Sequence, residues 1–242
     1  MTTSDNKKNN KKVCAVIAAA GNSTRMNLND GRSKQFIEIC GKSVIERSVS
    51  VFESCGLIDE IVIVTRAQDI EAIKKITETA GFKKVKDIVE GGKTRQESVL
   101  NALSAVSEDI NYVAIHDGAR CLITLSDIEK VINKAFETGA SAAATKITDT
   151  IKYADSGIIK KTVDRNYLWA VQTPQVFLKE LYIASVDYIQ KASVISIEDI
   201  TDDCSVLEHA GYSVSVVECG KDNIKITEIG DIKLAEAIIA LT

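Results

Sequence analysis

Residues Glu60–Thr65 read Glu-Ile-Val-Ile-Val-Thr, an unbroken apolar and largely β-branched run. A strand with one buried face alternates apolar and polar residues. A strand that is apolar throughout is covered on both faces, as in the interior of a parallel sheet packed between helices. The rest of the chain supplies the other layers. Residues 13–20 form a first apolar run, 43–55 read as a helix, and 67–80 place Ile70, Ile73, Ile76 and Ala80 on one helical face. A third strand is expected at 85–89, a helix at 94–106 bearing Val99, Leu103 and Val106, and a fourth strand at 112–115. Ser126 and Glu129 have the spacing of a capping box for a helix bearing Ile128, Val131, Ile132 and Ala135. This βαβα order predicts an α/β fold: an open, mostly parallel, doubly wound (Rossmann-like) sheet. Residues 141–177 interrupt the order. Two β-like pieces, 150–155 and 158–164, flank Asp155-Ser156-Gly157, so a β-hairpin arm protruding from the main sheet is expected. Alternation resumes with a helix near 178–191, a strand at 213–218 and a helix at 230–241.

A content of 45% hydrophobic and 26% charged residues suits one globular domain over 13–242. The polar, basic stretch 1–12 reads as a disordered tail without the apolar core of a signal peptide. No apolar run approaches the ~20 residues of a membrane span, and a net charge of -4 gives no broad footprint for nucleic acid. None of the six cysteines forms a C-x-x-C pair, as expected of a reduced, cytoplasmic protein.

Ligands of open α/β sheets bind beyond the carboxyl ends of the strands, and the polar clusters of this chain fall there. The first strand is followed by Gly21 through Met26 and then Arg32-Ser33-Lys34-Gln35, the third by Gly91-Gly92-Lys93-Thr94-Arg95 with Ser98, and the fourth by His116-Asp117-Gly118-Ala119-Arg120. The strand at 213–218 is followed by Gly220 through Lys225. Four loops should therefore meet in one crevice. Ala19, Ala20, Gly21, Gly91 and Gly92 would let backbone amides approach a ligand closely. Arg25, Lys34, Arg120 and Lys225 could neutralise phosphate charge, and Asp117 could hold a hard divalent cation such as Mg²⁺. Several cations with one carboxylate suit phosphoryl or nucleotidyl transfer, where catalysis is positioning and charge stabilisation. Of the two histidines, His116 reads as hydrogen-bonded and structural and His209 as a surface residue, while Lys93 and Lys221 read as peripheral.

The common nucleotide signatures are absent. Gly41-Lys42-Ser43 resembles the end of a P-loop, but Phe36 stands where its first glycine is required. Ser23 replaces the second glycine of a dinucleotide fingerprint, which disfavours a dehydrogenase, and no G-x-S-x-G marks a hydrolase.

The motifs AAAGNSTRM, SKQF, GGKTRQESV, HDGAR, DT at 149–150, DRNYLWAVQTPQVF, TDDCSVLEHAG and DNIKIT occur in that order. Together they resemble the 2-C-methyl-D-erythritol 4-phosphate cytidylyltransferase family of the non-mevalonate isoprenoid route, from about Val13 to the end of the chain. The resemblance implies transfer of CMP from CTP to the polyol phosphate with release of pyrophosphate. It implies catalytic roles at the phosphates for Arg25, Lys34 and Lys225, and nucleotide binding by Ala19, Ala20, Gly21, Gly92, Ser98 and Asp117, with Asp117 also the metal ligand. Arg120, Thr150, Arg165 and Thr201 would bind the substrate. It further implies a homodimer in which 147–170 is a dimerisation arm carrying Thr150 and Arg165 to the neighbour's site. The sequence departs from the family pattern at Ser33, where proline commonly precedes the lysine, in the long stretch 27–33, which makes Arg32 a rival to Lys34, and at Cys121, which replaces a proline. A ribitol 5-phosphate cytidylyltransferase is the nearest alternative, and a non-catalytic nucleotide-binding protein on the same fold is the alternative of another class.

Overall fold

Three helices of the computed structural model begin with the same local device, a hydroxyl residue three positions before an acidic one. The structure describes residues 11–21, 26, 33–192 and 200–241. Strand β1 (Val13–Ala18) leads through a 3-10 turn at Lys34–Phe36 and a small hairpin, β2 (Glu38–Ile39) and β3 (Lys42–Ser43), into α1 (Val44–Ser54). There follow β4 (Glu60–Thr65), α2 (Ile70–Thr79), β5 (Val85–Glu90), α3 (Arg95–Ala105), β6 (Tyr112–Asp117) and α4 (Leu125–Thr138). Ser43, Thr94 and Thr124 cap α1, α3 and α4, and their side chains accept from the amides of Glu46, Glu97 and Asp127. Each cap satisfies one of the amides that a helix start leaves without a partner. The sequence reading placed the third cap two residues late, at Ser126 with Glu129. Thr124 has the same spacing to Asp127, an extended backbone (ψ 153°) and the observed bond, so Ser126 lies inside the helix.

The chain continues through β7 (Ala140–Lys146), β8 (Lys152–Asp155), β9 (Ile158–Thr162), β10 (Trp169–Leu178), α5 (Lys179–Ala192), α6 (Asp203–His209), β11 (Ser215–Glu218) and α7 (Ile229–Leu241). A seven-stranded sheet runs in the order β11-β7-β10-β6-β1-β4-β5. All neighbours pair in parallel except β10, which is antiparallel to both β6 and β7. The sheet is thus open, mostly parallel and doubly wound, as predicted. One face carries Val13, Ala15, Ile17, Ile61 and Ile63 against α1, α2 and α4, and the other carries Cys14, Val16, Val62 and Val64 against α3, α5 and α6. All six cysteines are free, and all but Cys40 are buried.

The interruption at 141–177 is narrower than expected. β7 and β10 belong to the main sheet, and only the segment between them leaves it. β8 and β9 form a separate two-stranded sheet whose residues are all exposed. Its turn has Ser156 at φ 48° and Gly157 at φ 78°, the two positive values that a two-residue hairpin turn of right-handed twist requires. Lys11 and Lys12, expected in the tail, are held against the fold: Lys11 Nζ donates to the Phe136 carbonyl at 2.7 Å and the Lys12 amide to Asn111 Oδ1 at 2.9 Å.

Thr124→Ala should lower unfolding free energy by about 1 kcal/mol, the usual cost of losing a hydroxyl cap. Ser126→Ala, in the exposed first turn, should be neutral or slightly stabilising. Urea denaturation of the two variants checks the cap assignment.

Candidate functional site

β1 is flanked on one side by β4 and on the other by β6. The chain therefore reverses its direction of sheet growth at β1, and a crevice opens beyond the carboxyl ends of β1 and β6. A cleft of about 400 Å³ lies there. Its wall takes Ala18, Ala20 and Gly21 from the end of β1, Lys34 and Gln35 from the 3-10 turn, and Gly92 through Arg95 with Ser98 from the loop after β5 and the start of α3. Asp117 and Ala119 come from the end of β6, and Lys225 and Thr227 from the segment after β11. The four expected loops do converge.

Each loop is fixed by bonds that leave the cleft open. The Ala19 amide donates to Val64 O at 2.8 Å, which extends the sheet one residue past β1. Gly91 donates to Thr65 O at 2.8 Å, and a Cβ on Gly91 would stand 2.5 Å from the Ala20 Cβ. That approach is closer than any side chain allows, so only glycine lets the two loops meet. Ser98 Oγ accepts from the Gly92 amide at 3.0 Å and donates to Thr94 O at 2.8 Å, which folds the loop onto the start of α3.

β11 lies at the far edge of the sheet, yet Lys225 reaches the centre. The segment after β11 crosses back over the strand ends. Cys219 donates to Ala144 O at 2.9 Å, Asn223 Nδ2 to Gln172 Oε1 at 3.0 Å and Thr173 O at 2.9 Å, and the Ile226 amide to Ala119 O at 2.8 Å. Lys225 Nζ then lies 2.7 Å from Asp117 Oδ2, and Lys34 Nζ donates to Ile226 O at 2.8 Å.

Asp117 is the electrostatic centre of the cleft. Besides Lys225, Arg95 approaches its Oδ1 at 3.7 Å and Arg120 its Oδ2 at 3.7 Å. Burial alone would raise its pKa, but the cations outweigh that, Lys225 first and Arg95 next, and hold it down at about 2. Asp117 is thus ionised at any physiological pH. Among the described residues no three His, Cys, Asp or Glu side chains gather as a metal cage. A single carboxylate is still a fitting donor for Mg²⁺, which commonly takes one or two protein carboxylates and completes its shell with water and substrate phosphates.

His116, fully buried behind Asp117, organises the same strand end. The Asp117 amide donates to Thr173 Oγ1 at 3.0 Å, so the Thr173 hydroxyl proton is free to point at His116 Nδ1, also 3.0 Å away. His116 Nε2 lies 3.1 Å from the Arg120 carbonyl, an acceptor only. These partners assign the neutral imidazole with its proton on Nε2. Burial lowers the His116 pKa to about 4, so it stays neutral.

Of the residues singled out from sequence, Ala20, Gly21, Lys34, Gly92, Ser98, Asp117 and Lys225 line the cleft. Ala19 is buried behind it with its amide bonded to β4. Arg120 is tucked behind Asp117, with NH1 donating to Asn223 O at 2.8 Å. Thr150, Arg165 and Thr201 are exposed and do not line the cleft; Arg165 bonds the Thr148 carbonyl in the arm. Arg25 and Arg32 lie outside the described residues. Gln35, Thr94 and Arg95, which the sequence places in the converging loops without a role of their own, also line the cleft, as do Ala18 and Thr227, which it does not single out, and Lys93, which it sets at the periphery. Arg95 carried a signal, because it begins the helix that follows the paired glycines.

The 2-C-methyl-D-erythritol 4-phosphate cytidylyltransferase family model matches residues 13–241. The chain is 40% identical over 235 residues to the protein of that name from Alkaliphilus oremlandii, covering 96% of each. It is 41% identical over 229 residues to that from Caldanaerobacter subterraneus subsp. tengcongensis, covering 94% of this chain and 98% of the relative. The solved 4-diphosphocytidyl-2C-methyl-D-erythritol synthase of Anaerococcus prevotii superposes with a TM-score of 0.82 at 32% identity, over 96% of this chain and 97% of that one.

The His116 environment sets an acid limit on stability. Its pKa is about 4 when folded against an ordinary value of 6.5. Between these pH values the unfolded chain binds a proton that the folded one does not, so stability falls as pH falls. From pH 7 to 4.5 this loss should reach about 2–3 kcal/mol. Urea unfolding at both pH values should show a loss smaller by that amount in His116→Gln, which cannot take up the proton.

Proposed function

Because the chain belongs to the 2-C-methyl-D-erythritol 4-phosphate cytidylyltransferase family, we propose that it transfers CMP from CTP to 2-C-methyl-D-erythritol 4-phosphate. The products are 4-diphosphocytidyl-2-C-methyl-D-erythritol and pyrophosphate. The observation that carries this reading is the cleft at the strand reversal, where Lys225 and Arg95 flank a single ionised carboxylate, Asp117, and Lys34 lines the same wall. A site rich in cations and lined by close-approach backbone suits a nucleoside triphosphate.

The chemistry needs no general base. A phosphate monoester, with a second pKa of about 6, is mostly a dianion at neutral pH. One of its oxygens attacks the α-phosphorus of CTP. The bond from that phosphorus to the oxygen bridging to the β-phosphate breaks, and pyrophosphate leaves with the electron pair. Lys34 and Lys225, with Arg25, offset the charge that gathers around the α-phosphorus. Asp117 would hold Mg²⁺ jointly with nucleotide phosphate oxygens, and the cation would offset further phosphate charge there. Ala20, Gly92 and Ser98 would frame the cytosine, and a pocket built to hydrogen-bond one base edge leaves polar groups unpaired against another.

The arm supports a homodimer as the working unit. Tyr153, Ile158 and Ile159 are each more than half exposed on the β8–β9 hairpin, and an isolated hairpin is marginal in water. Pairing with a second copy would cover those side chains and carry Thr150 and Arg165 towards the neighbour's cleft, with Arg120 and Thr201 completing the polyol phosphate site.

CTP, UTP and ATP crossed with methylerythritol phosphate, ribitol 5-phosphate and erythritol phosphate should give pyrophosphate only with CTP and methylerythritol phosphate as the fast pair. Equal turnover of UTP contradicts the base assignment. Lys34→Ala should lose at least ~10²-fold in turnover, the scale of removing a preorganised charge-stabilising group, with an unchanged circular dichroism spectrum. Mixing inactive Lys34→Ala with inactive Arg165→Ala should restore activity, because a mixed dimer keeps one intact composite site. If native mass spectrometry shows subunit exchange and activity stays absent, Arg165 does not serve the neighbouring cleft.

A further inference from the structure

One carboxylate without a place in this reaction is more deeply buried than Asp117. Asp203, at the start of α6, is fully buried. Its Oδ2 lies 2.6 Å from Arg95 NH2, and its Oδ1 accepts from the Tyr182 hydroxyl at 2.7 Å. Tyr182 is fully buried too, and its oxygen accepts in turn from Gln96 Nε2 at 2.8 Å. Neighbouring bonds fix the start of α6. Gln175 Nε2 donates to Asp202 Oδ2 at 2.9 Å, while Gln175 Oε1 accepts from the Cys204 amide at 3.0 Å. The carboxylate therefore cannot follow the guanidinium if the latter moves, and the guanidinium must stay where the carboxylate holds it.

Where it is held matters to the cleft. Arg95 lines the nucleotide wall, and the same NH2 that bonds Asp203 stands 3.7 Å from Asp117 Oδ1, beyond hydrogen-bonding distance. Arg95 thus sits between two buried carboxylates, bonded to one and only near the other. We propose that Asp203 is a positioning residue for the transfer reaction: it engages Arg95 and so keeps the guanidinium from closing on Asp117. Asp117 Oδ1 then stays available to ligand, while Arg95 still lends its charge to the cleft. Without Asp203, the nearest carboxylate to the freed guanidinium is Asp117, and a direct pair there would occupy the oxygen that the ligand needs. Asp203 itself does not line the cleft, so any effect on the reaction must pass through Arg95. This inference rests on the cytidylyltransferase reading of the site.

The test is a double-mutant cycle with Asp203→Asn, Arg95→Gln and the double variant, each checked for native circular dichroism and thermal melting. Asparagine can still accept from Tyr182 but lacks the charge that holds Arg95. kcat and KM for CTP and, independently of turnover, CTP affinity by calorimetry are measured on all four proteins. Asp203→Asn is expected to reduce kcat/KM by at least ~10-fold and to change CTP affinity, yet to alter either by less than ~2-fold when Arg95 is already glutamine, the non-additivity of residues that act as a unit. Independent losses that multiply in the double variant would overturn the proposal, because a packing role for Asp203 does not require Arg95. So would an Asp203→Asn protein indistinguishable from wild type. Should Asp203→Asn fail to fold, Tyr182→Phe loosens the same carboxylate, and its loss must likewise vanish in the Arg95→Gln background or the proposal fails. Wild-type protein that binds CTP but transfers nothing would refute the reaction reading, and the calorimetric cycle would still decide the role of Asp203.

Discussion

Strand β1 pairs in parallel with β4 on one side and β6 on the other, in continuous register from Cys14 to Ala18 with β4 and from Val13 to Ala18 with β6. Both faces of these strands are covered, which forces helices onto both sides of the sheet and demands apolar side chains at nearly every position. Parallel pairing also sends the strand ends to the same edge. The end of β1 and the end of β6 become neighbours, and the cleft is the gap beyond them, walled by the loops that leave β1, β5 and β6 and by the segment after β11.

Charge is balanced tightly within that gap. Burial opposes ionisation of Asp117, and Lys225, Arg95 and Arg120 reverse that tendency together. A carboxylate taken out of water is costly unless paired, so the loops that bring the cations are also the ones that permit the carboxylate to stand at the end of β6. Lys34 and Lys225 are tied to the same segment, one through the Ile226 carbonyl and the other through its own backbone. The segment after β11 therefore acts as a strap across the strand ends. Its bonds to Ala144, Thr173 and Ala119 fix the cations relative to the sheet rather than relative to each other alone.

The second layer of polar residues is local in space and scattered in sequence. His116 spans the turn from Asp117 to Arg120 by bonding Thr173, 57 positions away, and the Arg120 carbonyl. Gln175 bridges β10 to the start of α6, and Asp203 reaches Arg95 from 108 positions away. These contacts join the loop after β5, the end of β6, the bend in β10 and α6 into one support around the cleft. None shows a periodicity or a spacing that a reading along the chain could detect.

What the sequence determined by itself is the part of the structure that depends on neighbours along the chain. The doubly buried run at 60–65, the helix faces at 44–54 and 95–105, and the Asp155-Ser156-Gly157 turn all reflect local periodicity or local backbone preference, and each appears where it was expected. The convergence of Gly21, Lys34, Gly92, Ser98, Asp117 and Lys225 followed from a topological rule applied to those elements. Tertiary structure alone decided the rest. It assigned β7 and β10 to the main sheet although Ala140–Lys146 and Trp169–Leu178 flank a departing hairpin, because strand membership depends on which edge is free to pair. It moved the cap of α4 to Thr124, tucked Arg120 behind Asp117, and chose Arg95 as a cation of the wall by setting Asp203 beside it. Such choices depend on how buried charges find their partners through space, and that pairing is fixed only once the sheet has brought distant segments together.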